Sequence, residues 1–552
     1  MKNLFNSANL KGDIFGGVTA GIVALPLALA FGVQSGMGAA AGLYGAIGLG
    51  FFAALLGGTN TQVSGPTGPM TVISSAIIAL LIAQKGSLEE ALPAILLCFI
   101  LSGILLVVMG VIKVGQYIKY IPYPVVSGFM TGIGVIIIFL QLFPMLGHVS
   151  PKTIPDIILN LGDPLSAIHW PSFLLTLLTI AIIYLFPYIT KAIPGTLVAL
   201  VGVTVLSELM NISVNVIGEI PKGFPPIHFN IFNALSDFNI ILLPAMTLAA
   251  LGAIDSLLTS VVADNVTKTN HNSNKELIGQ GIGNVVAGFI GGLPGAGATM
   301  RTLVNIRSGG KTKLSGAIHG IFLLLILLEL GSLASRIPLP VLAGILLTVG
   351  IGIVDTKGLS HFGKISKSDA FVLVLVLVLT VFVDLLQAVA AGMIISSIIF
   401  MKNMGDITQK ASSITATQTQ KQRQKLLERY HIPQNIRGFV AIKRISGPLF
   451  FGNSQYFEQL SKKVSEDIKV LIIDMKRVPY IDQSGLYSLE AIILNLEQKG
   501  VEVFFLHLQK QPEVMMRNIT LIPNLVEDKF IFNDELQCSE YLKTFLQNKM
   551  QN

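Results

Sequence analysis

Charge is what this sequence has least of. Only 12% of its 552 residues are Asp, Glu, Lys or Arg, against roughly 25% in an average soluble domain, and 52% are hydrophobic. Such a chain cannot dissolve in water as one globule. Cysteine is also scarce. Cys98 lies in an apolar run and Cys538 near the end, so a disulfide framework and a thiolate metal site are both excluded. There is no P-loop, no G-x-S-x-G in a strand–turn–helix setting, and no His/Cys/Asp/Glu cluster of metalloenzyme spacing. His148, His169, His228, His271, His319 and His361 are scattered, which leaves no three-histidine zinc site. ATP-driven work by this chain and enzymatic catalysis are thereby excluded, and no resident cofactor is expected. Although the formal net charge is +7, no Lys/Arg block is interleaved with aromatics, so a nucleic-acid partner is not expected.

What is present is a succession of apolar runs of the length that crosses a bilayer as helix. The sequence predicts spans at 14–34, 40–57, 93–112, 124–146, 171–189, 193–210, 238–263, 276–291, 314–334, 338–354, 369–386 and 388–402. Two shorter ones begin near Pro66 and Ala298, giving about fourteen. The first run lacks an A-x-A cleavage site and leads straight into further spans, so it is read as a span rather than a cleaved leader. With the N-terminus inside, only Lys85, Lys152, Lys222 and Arg336 fall outside. Most other loop Lys/Arg, among them Lys113, Lys119, Lys268, Lys275, Lys311 and Lys313, are then cytoplasmic, as is the C-terminus. The expected location is a bacterial plasma membrane, with lipid around the spans.

An internal repeat narrows the reading further. Gly57-Gly58 followed by Val63-Ser64-Gly65-Pro66-Thr67-Gly68-Pro69-Met70-Thr71 is echoed by Gly291-Gly292 followed by Gly295-Ala296-Gly297-Ala298-Thr299-Met300-Arg301-Thr302. An odd number of spans per half inverts one copy relative to the other, an arrangement many secondary transporters share. Each echo predicts an extended stretch feeding a half-helix that starts inside the membrane, which is tolerated only where it lines a cavity. Two such helix N-termini aimed at one point favour an anion there.

The residues able to carry chemistry cluster around these breaks. Asp255 stands in mid-span, where a carboxylate is costly, and Thr259 follows one turn later on the same face. Together they offer oxygens to a small hard cation, sodium or a proton. Thr67 and Thr299 begin the two half-helices, where a hydroxyl can join free N–H groups around an oxyanion. Arg301, two residues on, is a positive charge able to attract the anion, neutralise Asp255 or snorkel to water. Asn272, Asn274 and Glu276 read as caps of the next span, as does Asp384 at a tight turn. Gly279, Gly281, Gly283 and Gly288 read as a small-residue packing face.

After about residue 402 the composition turns polar. Residues 403–435 read as a linker or surface helix, and 436–552 as a cytoplasmic α/β domain with strands Phe439–Ile445, Val470–Met475 and Val501–Leu506 and helices Gln455–Glu466 and Gly485–Lys499.

These residues resemble the SulP anion transporters, or sulfate permeases, whose members carry a C-terminal STAS domain. The resemblance spans nearly the whole chain. It is most specific at Gly58-Thr59 through Pro69, at Ala263-Asp264 through Asn284, and from Arg301 through Asn305 and Arg307 to Gly309-Gly310. The soluble part is similar to STAS at Val470 to Met475 and Tyr480 to Leu486, although Gln483 follows Asp482 where anti-sigma antagonists carry a phosphorylated serine; Ser484 is available. The fold this implies is seven spans plus seven inverted spans in core and gate domains, commonly dimeric, with the STAS domain open to a regulatory protein. Within the family, Ile254 through Asp264 is similar to the sodium-dependent bicarbonate transporters of cyanobacteria. That similarity implies sodium at Asp255, Thr259, Gly297 and Thr299, and bicarbonate at Thr67, Ala298 and Thr299. Arg301 departs from those members, which carry glycine there, and matches the wider family. The implied function is sodium-coupled bicarbonate uptake. The alternative is proton-coupled or exchange transport of sulfate or a dicarboxylate, which Arg301 favours.

Overall fold

The computed structural model describes residues 7–151, 153–190, 193–218, 223–383, 385–411, 413–414, 420–451 and 467–551. Asp384 and the helix expected at Gln455–Glu466 lie outside the described residues, as do Lys152 and Lys222. The chain divides into two compact units, Met1–Ser396 and Ser397–Asn552.

In the first unit the long helices are α1 (Ser7–Ser35), α2 (Ala39–Leu56), α3 (Gly68–Lys85), α4 (Leu88–Val111), α5 (Tyr123–Met145), α6 (Trp170–Ile189) and α7 (Gly195–Leu209). The second half supplies α8 (Phe238–Thr267), α9 (Ser273–Phe289), α10 (Thr299–Arg307), α11 (Lys313–Ala334), α12 (Leu339–Ile353) and α13 (Lys367–Phe382), and α14 (Leu385–Ala411) leads into the second unit. Each long predicted span has a helix in its place. Among the described residues, eight helices are long and apolar enough to cross a membrane. The two broken spans differ from expectation. α3 runs 18 residues, about 27 Å at helical rise, whereas α10 is the short one at nine residues. The apolar run after Thr71 simply continues to Lys85 before Gly86 ends it. α4 starts at Leu88 rather than near 93, because the Ser87 side chain caps it by accepting from Glu90 N.

Packing sorts these helices into two bundles. α9 lies along α2 and α4, α8 on α4, and α11 on α1 and α2; separately, α5 packs with α12 and α13, and α6 with α7 and α12. Glycine permits the tightest of these contacts. A methyl on Gly281 would stand 2.5 Å from the Gly103 carbonyl oxygen, and one on Gly103 would stand 2.7 Å from that of Gly281, so α9 and α4 meet backbone to backbone. Gly283 likewise faces Leu49 of α2, as the predicted small-residue face requires.

Between the helices lie two two-residue strands, β1 (Ser64–Gly65) and β2 (Ala296–Gly297). They pair antiparallel, Ser64 opposite Gly297 and Gly65 opposite Ala296. The two repeat motifs therefore meet each other, and in opposite directions.

The second unit is built on a sheet in the order β3 (Ser413–Ile414), β4 (Val440–Ser446), β5 (Val470–Arg477), β6 (Glu502–Leu506), β7 (Ile531–Phe532), parallel from β4 to β7 with β3 antiparallel at the edge. The longer helices among its described residues are α15 (Gln420–Arg429), α16 (Gln483–Gln498), α17 (Lys510–Asn518) and α18 (Glu535–Gln551). Asp482 caps α16 by accepting from Gly485 N at 2.7 Å, and the exposed Gln483 donates to the Tyr487 hydroxyl. Phe504 stacks on Phe530 at 4.8 Å in a core that also holds Leu427, Tyr430 and Ile432. Those three belong to the stretch 403–435 read as a linker or surface helix. Its C-terminal part forms the helix read as the alternative, α15, and packs Leu427, Tyr430 and Ile432 into this core.

Lys443 sits within β4 at 2% exposure, and burial pushes its ammonium down to about 7. An unfolded lysine holds its proton to about pH 10.4. Between these values the unfolded chain binds a proton the folded domain has released, so stability rises with pH. The slope is at most about 1.4 kcal/mol per pH unit, and it vanishes below the folded value. Urea denaturation of residues 420–552 at pH 7, 8 and 9 should show this rise, and Lys443→Met should flatten it.

Candidate functional site

The centre of the first unit is where α3 and α10 begin, one at each end of the paired strands. β1 leads through Pro66 and Thr67 into α3, and β2 leads through Ala298 into α10. Two further bonds tie the crossing: Ala298 N donates to Val63 O at 2.9 Å, and Val63 N donates to Thr302 Oγ1 at 3.1 Å. Each helix leaves its first-turn N–H groups unused by its own backbone.

α8 passes beside the crossing and supplies the polar side chains. Thr67 donates its hydroxyl to Asp255 Oδ2 at 2.8 Å. One turn on, Thr259 Oγ1 donates to Gly297 O at 2.9 Å and lies 2.7 Å from Thr299 Oγ1. The sequence-predicted residues thus fall into two bonded sets, Asp255 with Thr67 and Thr259 with Gly297 and Thr299. Asp255 and Thr67 are 7% exposed, Ala298 also 7%, while Thr259 is fully buried. Thr299 follows the N-cap, which is Ala298. Together the two sets hold one carboxylate, three threonine hydroxyls and a carbonyl, all oxygen ligands of the kind a hard cation takes.

Arg301 is buried at 2% exposure and does not snorkel. Its Nη2 donates to Pro66 O, its Nε and Nη1 have no hydrogen-bond partner among the described residues, and its charge and that of Asp255 act on one another. Gly65 leaves it room, since a Cβ there would crowd Nη1 and the guanidinium would have to shift.

Glu276 is not the cap expected from the sequence. Asn272 caps α9, accepting from Lys275 N at 3.0 Å, and Asn274 makes no capping bond. Glu276 faces inward at 1% exposure, where four N–H groups reach it. Reading the sequence also missed Gln62, Ser256, Ser260, Gln280 and Asn284. Ser256 Oγ accepts from Gly297 N at 3.1 Å, and Ser260 Oγ donates to Gln62 Oε1 at 2.8 Å. Gln280 Nε2 donates to Ser64 Oγ at 2.6 Å. The Asn284 side chain pairs with both the N–H and the carbonyl of Gly295. The available signal was polarity inside apolar runs, at the residues next to Asp255 and Thr259 and at positions 280 and 284 of one helical face.

A bundle of broken, inversely repeated helices joined to a parallel-sheet domain defines a polytopic membrane transport protein with a STAS-type C-terminus. The sulfate permease family pattern matches residues 10–376 and the STAS domain pattern residues 431–535, and the chain belongs to the sulfate permease family. It is 40% identical over 539 residues to the bicarbonate transporter BicA of Picosynechococcus sp., covering 97% of this chain and 95% of that one. It is 41% identical over 506 residues to BicA of Synechocystis sp., covering 91% and 89%. Its structure is similar to the transmembrane domain of a cyanobacterial BicA, with TM-score 0.65 and 45% identity over 70% of this chain and 98% of that domain. The chain is an anion transporter, not an enzyme.

Thr67→Val keeps the shape of the side chain and leaves Asp255 Oδ2 without its donor. It should destabilise the detergent-solubilised protein by about 1–3 kcal/mol. Thermal unfolding checks this, and Thr67→Ser, which keeps the hydroxyl, should recover most of the loss.

Proposed function

We propose that this protein takes up bicarbonate together with sodium, the cation held by Asp255, Thr259, Gly297 and Thr299 and the anion by Thr67, Ala298, Thr299 and Arg301. The observation that carries the reading is the shared position of the two bonded sets. An oxygen-rich cation cluster lies against two helix N-termini; Thr299 belongs to both ligand sets, and Thr67 of the anion set bonds Asp255 of the cation set. Charge balance supports coupling. The charges of Asp255 and Arg301 offset one another, so an arriving sodium leaves one positive charge for a monovalent oxyanion to match. The names of the BicA relatives point the same way.

A second reading rests on the two buried, unpartnered guanidinium nitrogens of Arg301. These suit a more highly charged oxyanion such as sulfate or a dicarboxylate, moved with protons or by exchange. In both readings the protein is a homodimer in a bacterial plasma membrane with both termini cytoplasmic, and its soluble domain is open to a regulatory protein. Support for the orientation comes from the loop Lys/Arg distribution.

Uptake of labelled bicarbonate and sulfate into proteoliposomes, with and without an inward sodium gradient, separates the two. Bicarbonate uptake should rise with sodium by about tenfold or more and fall to the sodium-free rate in Asp255→Asn. Sulfate uptake that is driven by external acid and indifferent to sodium supports the second reading instead.

A further inference from the structure

Glu276 is a buried carboxylate outside both proposed ligand sets, yet its bonds lead to them. Its Oε2 accepts from the backbone N–H groups of Gly58 at 2.7 Å and Thr59 at 2.8 Å, and its Oε1 from Gln62 Nε2 at 3.0 Å and Gln280 Nε2 at 2.8 Å. Both oxygens are thus used by donors alone. A carboxylate is acceptor-only, so these bonds fix which end of the Gln62 amide faces it. Gln62 must then turn Oε1 the other way, to the hydroxyl of Ser260, which directly follows Thr259 on α8. The same amide lies against Gly297, where any Cβ would collide with it. Gly297 supplies the carbonyl that Thr259 bonds.

We infer that Glu276 is a positioning residue for the cation site, acting through Gln62 to hold Thr259 and Gly297 in register across α8 and β2. This rests on the sodium-coupled reading above. In Glu276→Gln the remaining carbonyl oxygen can still serve Gly58 and Thr59. Its new NH2 group then faces the amide donors of Gln62 and Gln280, donor against donor; Gln280 can turn its amide, whose Oε1 has no partner among the described residues, whereas Gln62 can turn only by giving up its Oε1 bond to Ser260. A second change, Gln62→Glu, restores the pair with reversed polarity. The carboxylate it introduces accepts from the new amide at position 276 on one oxygen and from Ser260 on the other.

The test is sodium-dependent bicarbonate uptake by the full chain in proteoliposomes. The sodium concentration for half-maximal rate should rise about tenfold or more in Glu276→Gln, with the bicarbonate KM at saturating sodium changed by less than about threefold. The double variant, Glu276→Gln with Gln62→Glu, should return most of the way to wild type. A merely structural Glu276 would lower the maximal rate or the yield and leave the half-maximal sodium concentration in place; that result, or a raised value that the double variant does not recover, overturns the inference. If Glu276→Gln does not fold, Gln62→Met, which leaves the other three bonds of Glu276 intact, must show the same rise, and an unchanged value overturns it. Failure of the underlying reading is visible separately, as wild-type uptake indifferent to sodium.

Discussion

Everything at the centre of this protein depends on four residues that pair as strand inside a bundle of helices. Ser64–Gly65 and Ala296–Gly297 lie between apolar helices, where an unpaired peptide group costs several kcal/mol. The two breaks bond to each other, and side chains take up further backbone groups beside them: Ser256 and Thr259 at Gly297 and Asn284 at Gly295. At Gly295 glycine is required because the backbones approach so closely: a Cβ there would run into Gly65 O. The breaks in turn free two helix N-termini, and these make the centre attractive to an anion. A transporter of this kind therefore builds its site by spending regular secondary structure, and the polar side chains around the crossing are what make that tolerable.

Three buried charges surround the crossing, each satisfied in its own way. Glu276 is met by four N–H donors, two of them backbone. Asp255 has a single hydroxyl and the field of Arg301, and Arg301 has the Pro66 carbonyl and two nitrogens left over. The fully bonded carboxylate is the one suited to hold structure. The under-bonded pair retains capacity for a guest, and it stands where the helix N-termini converge. This difference in saturation separates scaffold from site within one network of like chemistry.

Much of this was legible in the sequence because hydrophobic length and repetition are local signals. The spans, the inverted repeat, and the placing of Thr67 and Thr299 at helix starts follow from them. Long-range pairing was not legible. Asp255 and Thr67 stand 188 positions apart, so nothing nearby could show that Asp255 bonds Thr67 rather than Thr259. Glu276 was read as a cap because it follows Asn272 at a helix start, but the first turn of α9 faces Gly58–Thr59, whose N–H groups claim the carboxylate. The snorkelling option for Arg301 fails for the same reason, since the space it fills is made by Gly65 in the other half of the chain.

The central claim is that one site binds a cation and an oxyanion together, each strengthening the other. The direct test is calorimetric titration of the purified protein with bicarbonate across a series of sodium concentrations, and the converse. Sodium should lower the bicarbonate Kd, and bicarbonate the sodium Kd, by the same factor, on the order of tenfold. A bicarbonate Kd that does not move with sodium would contradict the claim.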